Sequence, residues 1–260
     1  MEKWKRIVIK VGTTTLTHKS GRLNIRRVEQ LAKVICDIAN SGIEIIFVSS
    51  GAISMGVGKM GLPGKPSDMA GKQACAAVGQ CELMYTYDKL FSEYNRTIAQ
   101  VLLTGEDLST PGRVDNFTNT MNRLLELGVI PVFNENDTIA TDEITSIGDN
   151  DTLASAVATS CKADLLILFS DIDGVYTADP HTDENARLIP YIRVIDESIL
   201  ALAGDTASNQ GTGGMVTKIH AAKTCMEHSI DMIITNGNNP SILYDIMDGT
   251  PVGTFFEGKM

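Results

Sequence analysis

Residues 7–17 read IVIKVGTTTLT, and they join an apolar strand to a turn rich in hydrogen-bond donors. The apolar run is short, β-branched and ended by Gly12, which is typical of a buried strand. Lys10 lies inside it, and a buried ammonium group is costly unless an anion meets it. Gly12 lets the backbone approach a ligand, and the three threonines after it add donors. Taken alone, the stretch slightly favours a lysine whose ammonium group reaches water over one that binds a ligand. Taken with the rest of the chain, it predicts a phosphate site at the end of the strand.

Around this stretch, apolar runs of strand length alternate with runs of helical periodicity. This alternation predicts an α/β fold with a mainly parallel sheet. We expect a single domain over residues 1–260, with an acceptor half up to about residue 162 and a nucleotide half after it. The predicted strands cover residues 7–11, 43–48, 97–103, 129–133, 164–169, 230–235 and 252–256. The predicted helices lie between Asn24 and Gly42 and over 68–94, 116–127, 152–160, 196–203, 216–228 and 240–247.

Glycine-rich turns elsewhere in the chain add donors for anions. Ser49-Ser50-Gly51-Ala52 follows a predicted strand and opens a helix, where free N–H groups face outward. Residues 211–218, GTGGMVTK, form a second donor-rich loop before a helix and are not a Walker A sequence. The G-x-G-x-x-G match at 56–61 follows no predicted strand, and Leu62-Pro63-Gly64 comes where a helix should open. We therefore predict an exposed loop over 59–67 rather than a dinucleotide site.

A polar, acidic segment at residues 134–151 reads NENDTIATDEITSIGDND and lies between apolar elements. A loop with a helix cap accounts for one of its aspartates but not for the whole run. Residues 138–147 predict a small hairpin, and the aspartates after Gly148 favour the N-terminus of the next helix. We expect this segment to contribute to a ligand site.

Composition limits the function further. The 260 residues carry a formal net charge of −10, which argues against nonspecific nucleic-acid binding. The five cysteines are odd in number and lack a C-x-x-C motif, so we expect reduced thiols and a cytoplasmic protein. No apolar run approaches membrane-spanning length, and residues 1–12 lack the apolar stretch of a signal peptide.

Several segments together resemble the glutamate 5-kinases of the amino acid kinase family. They occur in family order over nearly the whole chain, and the combination of the last glycine loop with NEND and GDND is the specific part. The segments are IVIKVGTTTLT, VSSGAISMG, KQACAAVGQ, LLT at Leu102, FNEND at Phe133, GDND at Gly148, SDIDGVYTADP at Ser170 and GTGGMVTK at Gly211. The resemblance implies a three-layer αβα sandwich, like that of carbamate kinase, with about eight mainly parallel strands.

The resemblance also implies a reaction and a set of site residues. Mg²⁺-ATP would phosphorylate the side-chain carboxylate of L-glutamate, in the first step of proline biosynthesis. The implied catalytic set is Lys10 and Lys218, which stabilise the transferring phosphoryl group, with Asp151, which holds both lysines. Glutamate would be bound by Ser50, Gly51, Asp137 and Asn150. ATP would be bound by Lys10, Gly12, Ser170, Asp171, Thr212, Gly213, Gly214, Met215, Val216, Thr217 and Lys218.

The resemblance extends to partners and shows some departures. It implies feedback inhibition by proline, and the small-residue helix predicted at 68–94 favours a homodimer or homotetramer. We expect no protein-bound metal beyond the Mg²⁺ of the nucleotide complex. Many family members carry a further C-terminal PUA domain, which this chain, ending at Met260, is expected to lack. The threonine loop replaces a GTSxLT pattern, and the loop before GDND is longer than usual.

The chemistry is reasonable without the family name, since a carboxylate is already a nucleophile at neutral pH. The difficulty is to bring two anions together, which two lysines, glycine-loop N–H groups and a metal ion would achieve. Three alternatives stay open. They are another amino acid kinase acting on acetylglutamate, aspartate or a nucleoside monophosphate, a non-catalytic ligand sensor on the same fold, and a dinucleotide oxidoreductase.

Overall fold

One sheet of eight strands organises the part of the chain that the structure describes. The computed structural model describes residues 3–18, 22–139, 149–180, 182–204 and 214–259. The strands are β1 Arg6–Val11, β2 Glu44–Ser49, β3 Ile98–Leu103, β4 Ile130–Glu135, β5 Leu165–Ser170, β6 Tyr191–Ile192, β7 Asp231–Asn236 and β8 Thr254–Phe256. Their order across the sheet is β3-β4-β2-β1-β5-β7-β8-β6, and neighbours are parallel except for the antiparallel pair β7 and β8. The predicted mainly parallel α/β sheet is therefore confirmed.

Helices cover both faces of this sheet. They are α1 Thr13–Leu16, α2 Ile25–Asn40, α3 Ala52–Met60, α4 Met69–Ser92, α5 Pro111–Glu126, α6 Asn150–Ser160, α7 Glu197–Gly204, α8 Met215–Glu227 and α9 Ile242–Met247. One hydrophobic core joins the sheet to α5, α6 and α8, and a second joins it to α2, α4 and α9. Two cores on opposite faces of one sheet make the predicted three-layer αβα sandwich.

The alternation of side chains along β1 assigns its residues to these cores. Ile7 and Ile9 contribute to the core on the α2 side, whereas Val8 contributes to the core on the α6 side. Successive side chains of a strand point to opposite faces, so Lys10 shares the α6 side with Val8. An acidic partner for this lysine therefore has to come from the layer that holds α6 and α8.

The strand order also fixes where a ligand would bind. From β1 the chain moves to β2 on one side, and it later returns to β5 on the other side of β1. Such a reversal leaves a crevice outside the carboxyl ends of the strands, where open α/β sheets bind ligands. Lys10 lies one residue before the end of β1 and therefore opens into this crevice.

Most predicted elements are confirmed, and the differences have local causes. Helix α5 begins at Pro111 rather than at the predicted residue 116, because proline suits the first helical turn, where its missing N–H costs nothing. Helix α3 runs to Met60, so the glycine match at 56–61 is helical, and the predicted loop begins only at Gly61. Strand β6 and helix α1 were not predicted, because two and four residues are too short for a periodic signal. The hairpin predicted at 138–147 lies almost wholly outside the described residues.

The small residues of α4 pack against α3. A Cβ added at Gly79 would lie 1.7 Å from the carbonyl oxygen of Ala52, and one added at Gly56 would lie 1.9 Å from that of Cys75. Each glycine thus meets the backbone of the other helix. The small-residue pattern, which was expected to face the sheet or a second subunit, serves this close crossing of two helices within the chain.

Other expectations concern the cysteines and membranes. Cys36, Cys75, Cys161 and Cys225 are buried, Cys81 is exposed, and all five are free thiols, as predicted. Among the described helices, none combines the length and the apolar character needed to cross a membrane. The cytoplasmic location stays a prediction.

We predict that Gly79→Ala lowers the free energy of unfolding by about 1–3 kcal/mol, the usual cost of overpacking a well-packed interior. The added methyl group would meet the backbone of Ala52, which cannot rotate away as a side chain would. Urea denaturation measures the change. Gly112→Ala in α5 is the control, because nothing lies within 4 Å of its added Cβ. Equal stability of the two variants would contradict the close crossing.

Candidate active site

A carboxylate held between two ammonium groups lies at the carboxyl end of β1, where the strand order predicts the crevice. The Lys10 Nζ donates to Oδ1 of Asp151 at 2.5 Å, and the Lys218 Nζ donates to Oδ2 at 3.0 Å. The Asp151 side chain is 1% exposed, and each lysine side chain is 9% exposed. Two cations and one anion leave a net charge of +1. The crevice therefore has a buried positive centre in a protein whose net charge is −10.

Three separate elements place these side chains. Lys10 comes from the carboxyl end of β1, Asp151 from the first turn of α6, and Lys218 from the first turn of α8. Asp149 caps α6 by accepting hydrogen bonds from the backbone N–H groups of Asp151 and Thr152, at 2.7 and 3.1 Å. A carboxylate in the first turn of a helix is also stabilised by the helix dipole. The GDND motif thus supplies first the cap and then the bridging carboxylate.

Opposing influences act on the ionisation of Asp151. Burial alone would raise the pKa of this carboxyl group, but the charges and hydrogen bonds of Lys10 and Lys218 outweigh it and hold the pKa below its ordinary value. Thr217 adds a contact from its hydroxyl group to Oδ2 at 3.1 Å. Asp151 is therefore an anion at neutral pH, and it offsets the repulsion between two ammonium groups on one carboxylate.

A second group of side chains is linked by amides. The Nδ2 of Asn150 donates to the Ser50 hydroxyl at 2.7 Å, to the Ser49 carbonyl at 3.1 Å and to Oδ1 of Asn134 at 3.1 Å. The Nδ2 of Asn134 in turn donates to Oε1 of Gln80 at 2.9 Å. These contacts connect the end of β2, the end of β4, α6 and α4, and they bring together two of the predicted glutamate-binding residues, Ser50 and Asn150.

The predicted glycine turns lie at the carboxyl ends of β1 and β2. Gly51 caps α3 with φ of +98°, in the left-handed region that favours glycine. Its added Cβ would lie 3.8 Å from the Thr13 side chain, so the two turns are neighbours. Gly12 precedes α1, and its added Cβ would lie 3.9 Å from the Lys10 Nζ and meet only ordinary contacts. The structure places Gly12 beside the lysine, at the predicted position.

Asp137 lies in the turn after β4 and has no described hydrogen-bond contact with the groups above. Burial raises the pKa of its carboxyl group, and the charge of Lys65 opposes this only partly. Glu135, at the end of β4, is affected more strongly. Burial, together with the charges of Asp137 and Asp149, raises the pKa of Glu135 to about 7.

Of the residues predicted to bind ATP, Lys10 and Gly12 lie at the end of β1, and the other described ones lie at the carboxyl end of β5 and at the start of α8. Ser170 is buried and ends β5, and its hydroxyl donates to Asp171, which is exposed, at 3.2 Å. Gly214 caps α8, whose first turn contains Met215, buried, Val216, exposed, and Thr217. The first turn of a helix leaves N–H groups free to bind an anion. Thr212 and Gly213 lie outside the described residues.

Sequence reasoning missed Gln80 as a contributor to the amide chain, and it included Asn134 only as part of the polar segment 134–151. Gln80 is 8% exposed and Asn134 is 2% exposed, so both are polar side chains held almost wholly inside the protein. Gln80 stands in α4 among alanine, glycine and cysteine, where a glutamine has no packing reason to be buried. That contrast was the available signal, because buried amides need hydrogen-bond partners.

With this geometry in view, the comparisons with known proteins identify the class. Residues 5–236 match the model of the amino acid kinase family. The chain belongs to the amino acid kinase family. The glutamate 5-kinase of Clostridium perfringens is 51% identical over 98% of this chain and 96% of that protein. The glutamate 5-kinase of Listeria welshimeri is 50% identical over 98% of this chain and 94% of that protein.

Solved structures agree on the fold. The carbamate kinase of Giardia lamblia, bound to AMP-PNP, covers 100% of both chains with a TM-score of 0.67 and 18% identity. The UMP kinase of Bacillus anthracis covers 99% of this chain and 97% of its own, with a TM-score of 0.61 and 17% identity. At such identities the likeness concerns the fold alone, and it confirms the predicted carbamate kinase-like sandwich.

We predict that Asp151→Asn lowers the free energy of unfolding by about 3–5 kcal/mol at pH 7, the usual cost of removing one partner from a buried ion pair. The substitution keeps the shape of the side chain but leaves two buried ammonium groups without a counterion. Chemical denaturation measures the loss. Asp88→Asn, at an exposed position of α4, is the control and should lie within about 0.5 kcal/mol of the unchanged chain. An unchanged stability for Asp151→Asn would contradict the bridging geometry.

Proposed function

We propose that the chain transfers the γ-phosphoryl group of ATP to the side-chain carboxylate of L-glutamate, giving L-glutamyl 5-phosphate and ADP, in the first step of proline biosynthesis. The observation that carries this proposal is the buried Asp151 carboxylate with Lys10 and Lys218 on its two oxygens, at the switch point of the sheet. Similarity to glutamate 5-kinases at about half identity over nearly the full chain supports the choice of acceptor.

The proposed roles of the two lysines follow from the needs of phosphoryl transfer. The acceptor carboxylate and the ATP phosphates repel each other, and charge accumulates on the transferring oxygens. Fixed ammonium groups in a water-poor site stabilise that charge more than they would in water. Lys10 and Lys218 would contact the phosphoryl oxygens, and Asp151 would position both without touching the substrate. No general base is required, because the nucleophile is already an anion.

The nucleotide would lie on the β5 and α8 side of the crevice. Ser170, Asp171 and the start of α8 line that side, and the N–H groups of Gly214 and its successors would face the phosphates. In the described part of the chain, no three His, Cys, Asp or Glu side chains are grouped so as to hold a metal ion. We therefore propose that Mg²⁺ enters with the ATP phosphates, which supply most of its ligands, and neutralises their charge.

The acceptor would lie on the β2 and β4 side. Ser50 and Asn150 offer a hydroxyl group and an amide, the Gly51 turn offers backbone N–H groups, and Asp137 offers a carboxylate for the substrate ammonium group. This arrangement supports an acceptor half up to about residue 162 and a nucleotide half after it. Both halves share β1, which pairs with β2 on one side and with β5 on the other.

Proline and a second copy of the chain are further proposed partners. Proline carries the same ammonium and α-carboxylate groups as glutamate, so we propose that it binds an overlapping site and inhibits the reaction. A homodimer or homotetramer is still predicted, although the small residues of α4 that suggested it pack against α3. Val78 and Tyr85 of the same helix are exposed apolar side chains, and they offer a surface for self-association.

We predict that ADP release requires L-glutamate when glutamate, N-acetylglutamate, aspartate and UMP are offered in turn with Mg²⁺-ATP. Hydroxylamine should trap the acyl phosphate as a hydroxamate, because an acyl phosphate reacts readily with this nucleophile. Lys218→Met is the control, with kcat lowered by about 10²–10³, the typical cost of losing one transition-state donor. A folded preparation that forms no hydroxamate from glutamate contradicts the proposal, and turnover of UMP alone would move the chain to another acceptor class.

We predict that Asp137→Asn raises the KM for glutamate at least about tenfold, a loss of roughly 1.4 kcal/mol, and leaves the KM for ATP nearly constant. The substitution keeps the shape and removes the charge that would bind the substrate ammonium group through a charge-assisted hydrogen bond. Steady-state kinetics with each substrate varied in turn measure both constants. If instead the melting temperature falls and both KM values hold, Asp137 only caps the turn after β4.

A further inference from the structure

A small cavity beside the proposed acceptor site is lined by two residues that each have an unmatched polar atom. It lies between α3, α4 and the turn after β4. Its apolar lining residues are Ala52, Ala76 and Leu102, and its polar ones are Gln80, Glu135, Asn136, Asp137 and Thr138. Among the described residues, Nε2 of Gln80 and Oε1 of Glu135 have no hydrogen-bond partner although both atoms are buried. An unsatisfied buried donor and an unsatisfied buried acceptor at one cavity call for an explanation.

The orientation of the Gln80 amide is fixed by its neighbours. The backbone N–H of Glu135 donates to Oδ1 of Asn134 at 3.0 Å, so this oxygen is an acceptor and the opposite atom of Asn134 is the NH₂ group. That NH₂ group donates to Oε1 of Gln80. The Gln80 NH₂ group must then point away from Asn134 and into the cavity. The unmatched donor therefore follows from the hydrogen-bond chain and is not an arbitrary choice between two amide orientations.

The chemistry of the cavity selects what can fill it. A substrate ammonium group inside the cavity would place its N–H donors against the N–H donors of Gln80. It therefore fits beside Asp137 but not in the cavity. The cavity has room for about one water molecule, too little for a carboxylate group. A water molecule can accept from Gln80 and donate to Glu135, which satisfies both atoms.

We propose, on the basis of the function proposed above, that Gln80 and Glu135 are positioning residues of the acceptor site. Joined through one buried water molecule, the Gln80 amide and a neutral Glu135 carboxyl group hold the turn that carries Asp137. The reason is electrostatic. Glu135 and Asp137 are two residues apart and both partly buried, and two carboxylates so placed repel each other. Asp137 can carry the negative charge that the substrate requires at low cost only if Glu135 is neutral.

The charged and titratable groups around Glu135 support this division of roles. Asp137, in the same turn, and Asp149, the cap of α6, both act on it as negative charges, and Lys65 acts on Asp137 from the loop before α4. Helix α4 presents the neutral Gln80, and β4 presents the neutral Asn134. With the pKa of Glu135 raised to about 7, its ionisation falls in the physiological range.

The test compares the unchanged chain with Glu135→Gln, which imitates the neutral carboxyl group. The quantity to follow is the KM for glutamate of the unchanged chain divided by that of Glu135→Gln. If binding requires a protonated group of pKa about 7, this ratio should rise about tenfold from pH 6 to pH 8. The KM for ATP should show no such change. Asp137 is present in both proteins, so the pH dependence of the ratio reports the ionisation of Glu135 together with its effect on Asp137. Glu93→Gln, exposed at the end of α4, is the matched control and should follow the unchanged chain.

A ratio that stays constant with pH would overturn the proposal. A ratio that falls with pH would overturn it as well, because the ionised Glu135 would then help to bind the ammonium group itself. Gln80→Met tests the other partner. It removes the amide and keeps the length, and it should raise the KM for glutamate while the kcat stays within about twofold. A fall in kcat with an unchanged KM would contradict a positioning role.

Thermal unfolding without substrates separates this proposal from the proposed function. A carboxyl group whose folded pKa is raised contributes stability that is present below its unfolded pKa of about 4.3 and is lost as the pH rises through about 7. The melting temperature of Glu135→Gln should therefore match that of the unchanged chain at pH 4.5 and exceed it at pH 8. Equal melting temperatures at both pH values overturn the proposal. If the melting curves behave as expected and glutamate is not phosphorylated, the proposed function alone has failed.

Discussion

The contact on which the rest of the site depends is the one carboxylate shared by two lysines. Asp151 is almost fully buried, and neither lysine side chain is more than 9% exposed. Removing Asp151 would leave two ammonium groups without a counterion in a poorly solvated place, which costs several kcal/mol. The three side chains come from β1, α6 and α8, so the ion pair also ties the middle strand to two helices of one layer. Charge balance and the packing of these elements are therefore one constraint.

The strand order explains why this constraint lies where ligands bind. Because β1 pairs with β2 on one side and β5 on the other, the end of β1 borders both halves of the sheet. The proposed acceptor side is built from turns after β2 and β4, and the proposed nucleotide side from the end of β5 and the start of α8. A positive centre between them can contact a group that passes from one side to the other. Neither half could supply that centre alone, since Lys10 is on the shared strand and Lys218 is on the nucleotide side.

The sequence predicted those parts of the site that have a strong local signature. A lysine inside an apolar strand, as Lys10 is, has to meet an anion, and the GDND run placed Asp151 next to a helix start. The same reasoning failed where the deciding contact is between distant segments. The small residues of α4, including Gly79, were expected to face the sheet or a second subunit, but Gly79 and Gly56 are small because α3 and α4 cross closely. Gln80 was missed because a single polar residue in a helix says nothing about its partner on β4, 54 positions further along.

The amide chain shows how a site can select its substrate by the direction of its hydrogen bonds. Starting from the backbone N–H of Glu135, each link fixes the next, through Asn134 to Gln80. The same Asn134 oxygen accepts from Asn150, whose NH₂ group also reaches Ser50. Amide donors therefore face the Ser50 hydroxyl on one side and the cavity at Gln80 on the other. In the proposed glutamate-binding site, the hydrogen-bond acceptors are concentrated at Asp137 and Glu135. If both of these carboxylates were charged, the site would attract cations without distinction. With only Asp137 charged, it matches a ligand that carries one ammonium group together with carboxylates, which the lysines and the backbone N–H groups can accommodate.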